Sequence, residues 1–378
     1  MSKIKILYIT TSLNIGGAEM MLCHLLTRLD RNHFEPVVIS LSEKSKLDDR
    51  ITVLGIPLFH LGMRSDQPKI SILLRLMHIV RITKPDLIQG WMYHANLVAQ
   101  LLGSFLRIPV LWSVHSSVYN LAHEKRTTAW VIRACAFLSK QARKIIFVSE
   151  TSRQQHEQLG YEPSRSCVIA NGFDTSLFAP SHETRLRVRA ALNIPDDAML
   201  IGSFARFHPM KDHANFLRAA GELAHRYPQV QFLLAGTDVT WENPAIRQLV
   251  TELSLQDRTH LLGPRYDVPD LMKSLDLMTS SSAYSEAFPL VIGEAMACGV
   301  PCVATNLGDS TILIGDTGLV VPPQNSQELA GAWESVIAAP TEQRYQLGRA
   351  ARQRIEQNYS LQSIVTQYER LYLSIAGK

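Results

Sequence analysis

Two glutamates, Glu286 and Glu294, stand out in a stretch that is otherwise small, hydroxylated or apolar, Ser280-Ser281-Ser282-Ala283-Tyr284-Ser285-Glu286-Ala287-Phe288-Pro289-Leu290-Val291-Ile292-Gly293-Glu294. Glu294 falls inside an apolar helical pattern, where an unpaired carboxylate costs a great deal to bury. Glu286 precedes that pattern in a loop after a strand, so the two can meet one ligand from two sides. Carboxylates accept hydrogen bonds from vicinal hydroxyls of a ribose or a hexose, and N–H groups at a helix start suit phosphate. The structural alternative is a Glu294 satisfied by neighbouring backbone.

Two cations, Arg206 and Lys211, sit in Ser203-Phe204-Ala205-Arg206-Phe207-His208-Pro209-Met210-Lys211-Asp212, just beyond a strand and leading into a helix. That position suits a diphosphate that gains negative charge as it leaves. Near the N-terminus, Gly16 and Gly17 lie between a strand and a helix, where paired glycines let backbone approach a ligand and the helix end offers N–H groups. A tight turn explains those glycines equally well. The loop lacks the G-x-G-x-x-G spacing and no acidic residue closes a second strand, which weighs against a nicotinamide cofactor.

The elements that must position these groups alternate along the chain. Ile4–Thr10, 36–40, 87–89, 110–114 and 144–148 read as strands, with helices over 18–29 and 70–82. The pattern restarts after 171–180 with strands at 199–203, 231–236, 260–263, 277–280, 301–304 and 319–321, and helices at 214–226 and 244–253. Nearly all-apolar strands separated by helices predict parallel sheets covered on both faces. The expectation is an α/β protein of two doubly wound, Rossmann-like domains facing across a cleft, where open sheets bind ligands. The division falls at 1–178 and 179–359, and an amphipathic helix from Ile355 to Ile375 crosses back, so that 360–378 joins the first domain.

A length of 378 residues, 46% apolar and 19% charged, fits two packed cores and excludes a disordered chain. No signal peptide or membrane span is legible, and five scattered cysteines fit a reducing cytoplasm rather than a disulfide framework. Charge is uneven. Residues 1–180 hold 21 Lys+Arg and 13 Asp+Glu, hence +8; residues 181–378 hold 17 and 21, hence −4. A basic first half suits an anionic membrane surface or a phosphorylated acceptor, though ordinary solvated charge would also produce it.

Glu286-x7-Glu294, with Ala287-Phe288-Pro289 after the first and Ala295-Met296-Ala297-Cys298-Gly299-Val300-Pro301 after the second, resembles the signature of glycosyltransferase family 4. Gly16-Gly17-Ala18-Glu19, Val168-Ile169-Ala170-Asn171-Gly172-Phe173-Asp174, Gly263-Pro264-Arg265 and Gly315-Asp316-Thr317-Gly318 extend the resemblance over almost the whole chain. It implies the GT-B fold and transfer of a hexosyl unit, with retention, from a UDP- or GDP-sugar. Glu294 would bind the ribose and Glu286 a sugar hydroxyl. Backbone around Phe288, Pro289, Leu290 and Val291 would hold sugar and phosphate. Arg206 and Lys211 would neutralise the diphosphate, with Gly16 and Gly17 approaching it. His115, at the end of a strand, matches the family's active-site histidine; otherwise it reads as structural.

No Asp-x-Asp occurs, so the expectation is a metal-independent enzyme without cofactor, the nucleotide sugar being a co-substrate. Gln89-Gly90-Trp91-Met92-Tyr93-His94 and Trp112-Ser113-Val114-His115 resemble a branch that builds bacterial surface polysaccharides such as O-antigen. That implies a saccharide or lipid-linked saccharide acceptor and a cytoplasmic protein, peripheral on the inner membrane, with no nucleic-acid partner. The stretch from Thr127 to Lys144 is a candidate membrane-facing helix, or else an ordinary packing helix. A GT-B sugar-nucleotide 2-epimerase is the alternative function, and a catalytically silent nucleotide binder a further one.

Overall fold

The computed structural model describes residues 3–63 and 70–377. The chain forms two compact units, Met1–Gly172 with Leu361–Lys378, and Phe173–Ser360. The boundary thus lies at 172/173, a few residues before the 178/179 expected from the sequence.

Seven strands build the sheet of the first unit: β1 Ile4–Thr10, β2 Phe34–Ser40, β3 Leu58–His60, β4 Leu87–Trp91, β5 Val110–Val114, β6 Lys144–Phe147 and β7 Ser166–Val168. Their order is β3-β2-β1-β4-β5-β6-β7, every pairing parallel. The order reverses between β1 and β4, whose ends Thr10 and Trp91 are in register. Loops leaving such a reversal diverge and open a crevice at the strands' carboxyl ends. Alternate residues of the strands enter two cores: Leu7 and Ile9 join one, Ile6 and Tyr8 the other. The short edge strands β3 and β7 have no counterpart in the sequence reading.

Six parallel strands build the second sheet: β8 Met199–Phe204, β9 Val230–Ala235, β10 Thr259–Leu261, β11 Leu277–Ser280, β12 Cys302–Thr305 and β13 Leu319–Val321. Their order is β10-β9-β8-β11-β12-β13, reversing between β8 and β11. The loops that carry Arg206, Lys211 and Glu286 therefore leave neighbouring strands at a switch point.

The helix expected over 355–375 is instead two, Thr341–Asn358 and Leu361–Ala376. Between them Tyr359 leaves helical geometry; its carbonyl accepts from the Phe173 N–H at 2.9 Å, and Phe173 and Ser360 form a parallel bridge. The last helix belongs to the first unit. Gly172 needs to be glycine there, because a Cβ would lie 2.8 Å from the Leu361 backbone. Likewise the segment read as one helix over 127–144 stops at Leu138, and β6 begins at Lys144. No helix among the described residues is long and apolar enough to cross a membrane.

Buried hydroxyl chemistry fastens the last helix to the first sheet. The Tyr372 hydroxyl donates to Gln89 Oε1 at 2.6 Å and accepts from Tyr8 Oη at 3.1 Å, while Gln89 Nε2 donates to Ser113 Oγ at 2.6 Å. All four side chains are buried. Removing one hydroxyl strands a buried acceptor and a buried donor. Tyr372→Phe is expected to lower stability by about 1–3 kcal/mol, read as a reduced urea midpoint with unchanged slope.

Candidate functional site

In the second unit, β8 runs out into Ala205 and Arg206, and a short turn, Pro209–Lys211, follows. The turn is capped at both ends. His208 Nδ1 accepts from the Met210 N–H at 3.2 Å, and Asp212, at φ +47°, accepts from the Asn215 N–H at 3.1 Å to start the next helix. From the neighbouring strand β11 the loop over 281–286 folds onto that turn. The Ala283 N–H donates to the Met210 carbonyl at 2.8 Å, and Ser281 Oγ to the Lys211 carbonyl at 3.0 Å. Thr305 Oγ1 at the end of β12 holds the Ser282 carbonyl at 2.7 Å.

Side chains complete the arrangement. Lys211 Nζ lies 2.6 Å from Glu286 Oε2, and Ser282 Oγ donates to the same oxygen at 2.9 Å. Both members of the ion pair are largely shielded from water, so their attraction exceeds that of a surface pair. Arg206 is exposed and makes no ion pair among the described residues, leaving a full positive charge for a ligand.

Glu294 sits on the apolar helix Leu290–Ala297, entered through Pro289. Its carboxylate has no hydrogen-bond or ion-pair partner among the described residues, so neighbouring backbone does not satisfy it. Burial alone pushes its pKa up to about 7. Gly293 beside it needs to be glycine, since a Cβ would fall 2.0 Å from the Phe173 ring. Phe288 is buried between Phe173 and Tyr359, at centroid distances of 6.1 and 5.9 Å. Leu290 and Val291 belong to the helix's first turn, whose N–H groups lack intrahelical partners. Pro289 has no N–H, so it shapes the entry and donates nothing.

The first unit holds the remaining candidates. Gly16, extended at φ −159°, caps the helix Gly17–Arg28, and a Cβ on it would meet the Glu19 carboxylate at 2.4 Å. His115 follows β5 directly. Its ring stacks on Trp91 at 4.5 Å and 25°, and Trp91 Nε1 donates to the Ala18 carbonyl at 2.8 Å. The tryptophan thus ties the glycine loop to the histidine. Neither nitrogen of His115 finds a hydrogen-bond partner, and burial pushes its pKa down to about 4, with the Asn171 side chain opposing. At neutral pH it is an uncharged imidazole, able to donate from one nitrogen and accept at the other.

The structure therefore gathers Arg206, Lys211, Glu286, Phe288, Pro289, Leu290, Val291 and Glu294 within one unit, and Gly16, Gly17 and His115 within the other. Ser282, Trp91 and Asn171 carry no role in the sequence reading. For Ser282 a signal existed, a serine run at a strand end beside a carboxylate; the stacking of Trp91 had none.

Two family patterns match the chain in tandem: Glycosyltransferase Family 4 over residues 15–177 and Glycosyl transferases group 1 over residues 184–354. The chain belongs to the group 1, family 4 glycosyltransferases. EpsF of Bacillus subtilis, named as a glycosyltransferase, is 25% identical over 89% of this chain and 88% of its own length. A D-inositol 3-phosphate glycosyltransferase of Rhodococcus erythropolis is 29% identical over 62% of this chain, which spans only 56% of that relative. Among solved structures, Anabaena HepE in complex with UDP superposes with a TM-score of 0.87 and 26% identity, over 98% of this chain and 100% of its own. HepE has also been crystallised with UDP-glucose. As a group 1 glycosyltransferase with the GT-B fold, this chain works on a nucleotide sugar.

The raised pKa of Glu294 has a consequence for stability. A carboxyl whose folded pKa lies above its ordinary 4.5 contributes stability that is full below 4.5 and lost as pH rises through about 7. Glu294→Gln removes the charge without changing shape. Free of ligand, this variant is expected to unfold like the parent at pH 4 and to be more stable by on the order of 1 kcal/mol at pH 8, in thermal melts across that range.

Proposed function

We propose that this chain is a retaining, metal-independent hexosyltransferase that takes a UDP- or GDP-sugar as donor and a lipid-linked saccharide as acceptor, in the assembly of a bacterial surface polysaccharide. The observation that carries the donor half is Glu294, a half-buried carboxylate on the helix that follows the Glu286 loop, whose pKa burial raises and which has no hydrogen-bond partner among the described residues. Ribose hydroxyls donating to it would supply hydrogen bonds that no protein group provides. Glu286, already oriented by Lys211 and Ser282, reads a hydroxyl of the transferred sugar.

Arg206 and Lys211, with the first-turn N–H groups of Leu290 and Val291, neutralise the departing diphosphate without calling on a metal ion. The bond between the anomeric carbon and the diphosphate oxygen breaks, the acceptor oxygen bonds to that carbon, and its proton passes to the departing phosphate. Neutral His115 serves as a hydrogen-bonding group toward the transferred sugar. Retention, and the lipid-linked acceptor, rest on the family resemblance. The UDP and UDP-glucose complexes of HepE favour a uridine donor.

A melting screen against UDP-glucose, other UDP-sugars and GDP-mannose tests the donor without an acceptor; ligand at one hundred times its Kd adds about 2.7 kcal/mol. A UDP-sugar is expected to raise the melting temperature of the parent and not of Glu294→Ala. Lys211→Ala should keep binding but lower turnover at least ~100-fold, as loss of a charge-stabilising donor does. Activity insensitive to EDTA is expected as well. Full turnover in both variants would refute the site assignment, and C2 epimerisation of UDP-N-acetylglucosamine incubated alone would replace the transferase by a 2-epimerase.

A further inference from the structure

His115 belongs to a ring of contacts that starts and ends at one strained residue. β4 ends at Trp91 and the helix Tyr93–Leu106 begins at Tyr93, so Met92 alone makes the connection. Its backbone stands at φ +74° and ψ +165°, a region that glycine enters freely and a residue with a side chain does not. In a continued strand, positions two apart share a face. Here Trp91 packs into one core of the first unit and Tyr93 into the other. The Met92 N–H donates to the Ser113 carbonyl at 2.9 Å, and the Met92 carbonyl accepts from the Asn96 N–H at 2.8 Å. The strained residue is therefore gripped on both sides.

From Trp91 the ring runs through the stacked His115 into the loop that follows β5. From Tyr93 it runs the other way, through a buried histidine. His156 Nδ1 lies 2.7 Å from the Ser152 carbonyl, which can only accept, so that nitrogen carries the proton. Burial pushes the His156 pKa down to about 4. Its Nε2 is thus bare at neutral pH and accepts from the Tyr93 hydroxyl at 2.9 Å. That hydroxyl in turn accepts from the Ser116 side chain. The helix Glu150–Gln158 then holds the loop twice. Ser152 Oγ donates to the Ser116 carbonyl at 2.6 Å, and Gln155 Oε1 accepts from the Val118 N–H at 3.0 Å. Tyr93, Ser152 and His156 are buried, so no solvent stands ready to replace a broken bond.

We propose that this closed ring aims His115, with Met92, Tyr93, Ser152, Gln155 and His156 as its positioning residues. The His115 imidazole has no hydrogen bond of its own to fix its rotation. Its direction is inherited from the Trp91 face on one side and from its anchored loop on the other. A strained backbone persists only where its surroundings over-determine it, and Met92 is what sends Trp91 and Tyr93 to the two ends of the ring. The proposal rests on the reading of His115 as the group that faces the transferred sugar.

Melting and NMR of the full chain test it. Met92→Ala and Met92→Gly both lose the side chain and differ only at the backbone. Glycine ordinarily costs stability relative to alanine. At this position the order should invert, Met92→Gly melting higher than Met92→Ala by roughly 2–4 °C. With ring-labelled histidine, the signal missing from His115→Gln identifies His115 in the parent. It is expected upfield, shielded by the indole face, and should lose most of that displacement in Tyr93→Phe and in Ser152→Ala, which open the ring at different bonds. UDP-glucose should move this signal in the parent and move it less in both variants. Met92→Ala melting as high as Met92→Gly, or a His115 signal unmoved in both variants, overturns the proposal. Absence of UDP-glucose binding by calorimetry would undo the donor reading instead, and the ligand-free signals would still decide the ring.

Discussion

The seam between two loops, rather than any one residue, is what the candidate site of the second unit depends on. Parallel strands β8 and β11 release their chains at the same end of the sheet, and nothing in strand pairing alone would keep those chains together. The Ala283 N–H on the Met210 carbonyl, Ser281 on the Lys211 carbonyl and Lys211 on Glu286 join them. Because backbone bonds fix the turn before the side chains meet, the charge pair is preorganised and little freedom remains to be lost when ligand binds. Breaking the pair from either side would leave a shielded charge uncompensated, which costs more than the pair itself contributes.

Glu294 is the opposite case, a group the fold holds at a disadvantage. Its helix cannot relieve it by rolling away. Ile292 and Ala295 are fully buried, Gly293 lies against the Phe173 ring, and Phe288 is clasped between Phe173 and Tyr359. Phe173 and Tyr359 stand at the two ends of this unit's chain and are joined there by a backbone hydrogen bond. Closure of the unit and rigidity of the site helix are therefore one packing arrangement. Stability withheld at one carboxylate is a common mark of a site shaped for a partner that is not protein.

How much of this was legible in the sequence follows from range. Long apolar strands, the helix around Glu294 and the loops at strand ends announce themselves through local periodicity and composition. Of the three-residue edge strands, β10 and β13 are legible and β3 and β7 are not, because at the latter two pairing with a neighbour, not local pattern, makes the strand. The C-terminal helix reads as continuous from Ile355 onward, since nothing local marks Tyr359 as a break; the cause is the distant N–H of Phe173. In the site, Glu286, Glu294, Arg206 and Lys211 could be named from spacing and resemblance. That Lys211 grips Glu286, and that Trp91 carries both His115 and the glycine loop, depends on contacts across 75 and 73 positions of chain.

Burial acts on His115 and Glu294 in opposite senses of charge but with one result. It removes the proton from His115 and favours the proton on Glu294, so each leans toward its neutral form. Their working ranges nevertheless separate. With a pKa near 4, His115 is uncharged throughout the neutral range, and its hydrogen-bonding behaviour there does not change with pH. Glu294, near 7, is divided between two forms under the same conditions. The ionised form is the stronger acceptor and offers both oxygens without a proton on either, so a ligand that donates two hydroxyls would favour that form and draw the pKa back toward its ordinary value. If a donor's ribose binds Glu294 as proposed, capture of the donor would favour loss of the Glu294 proton, and a pH response near neutrality is expected from the carboxylate rather than from the histidine.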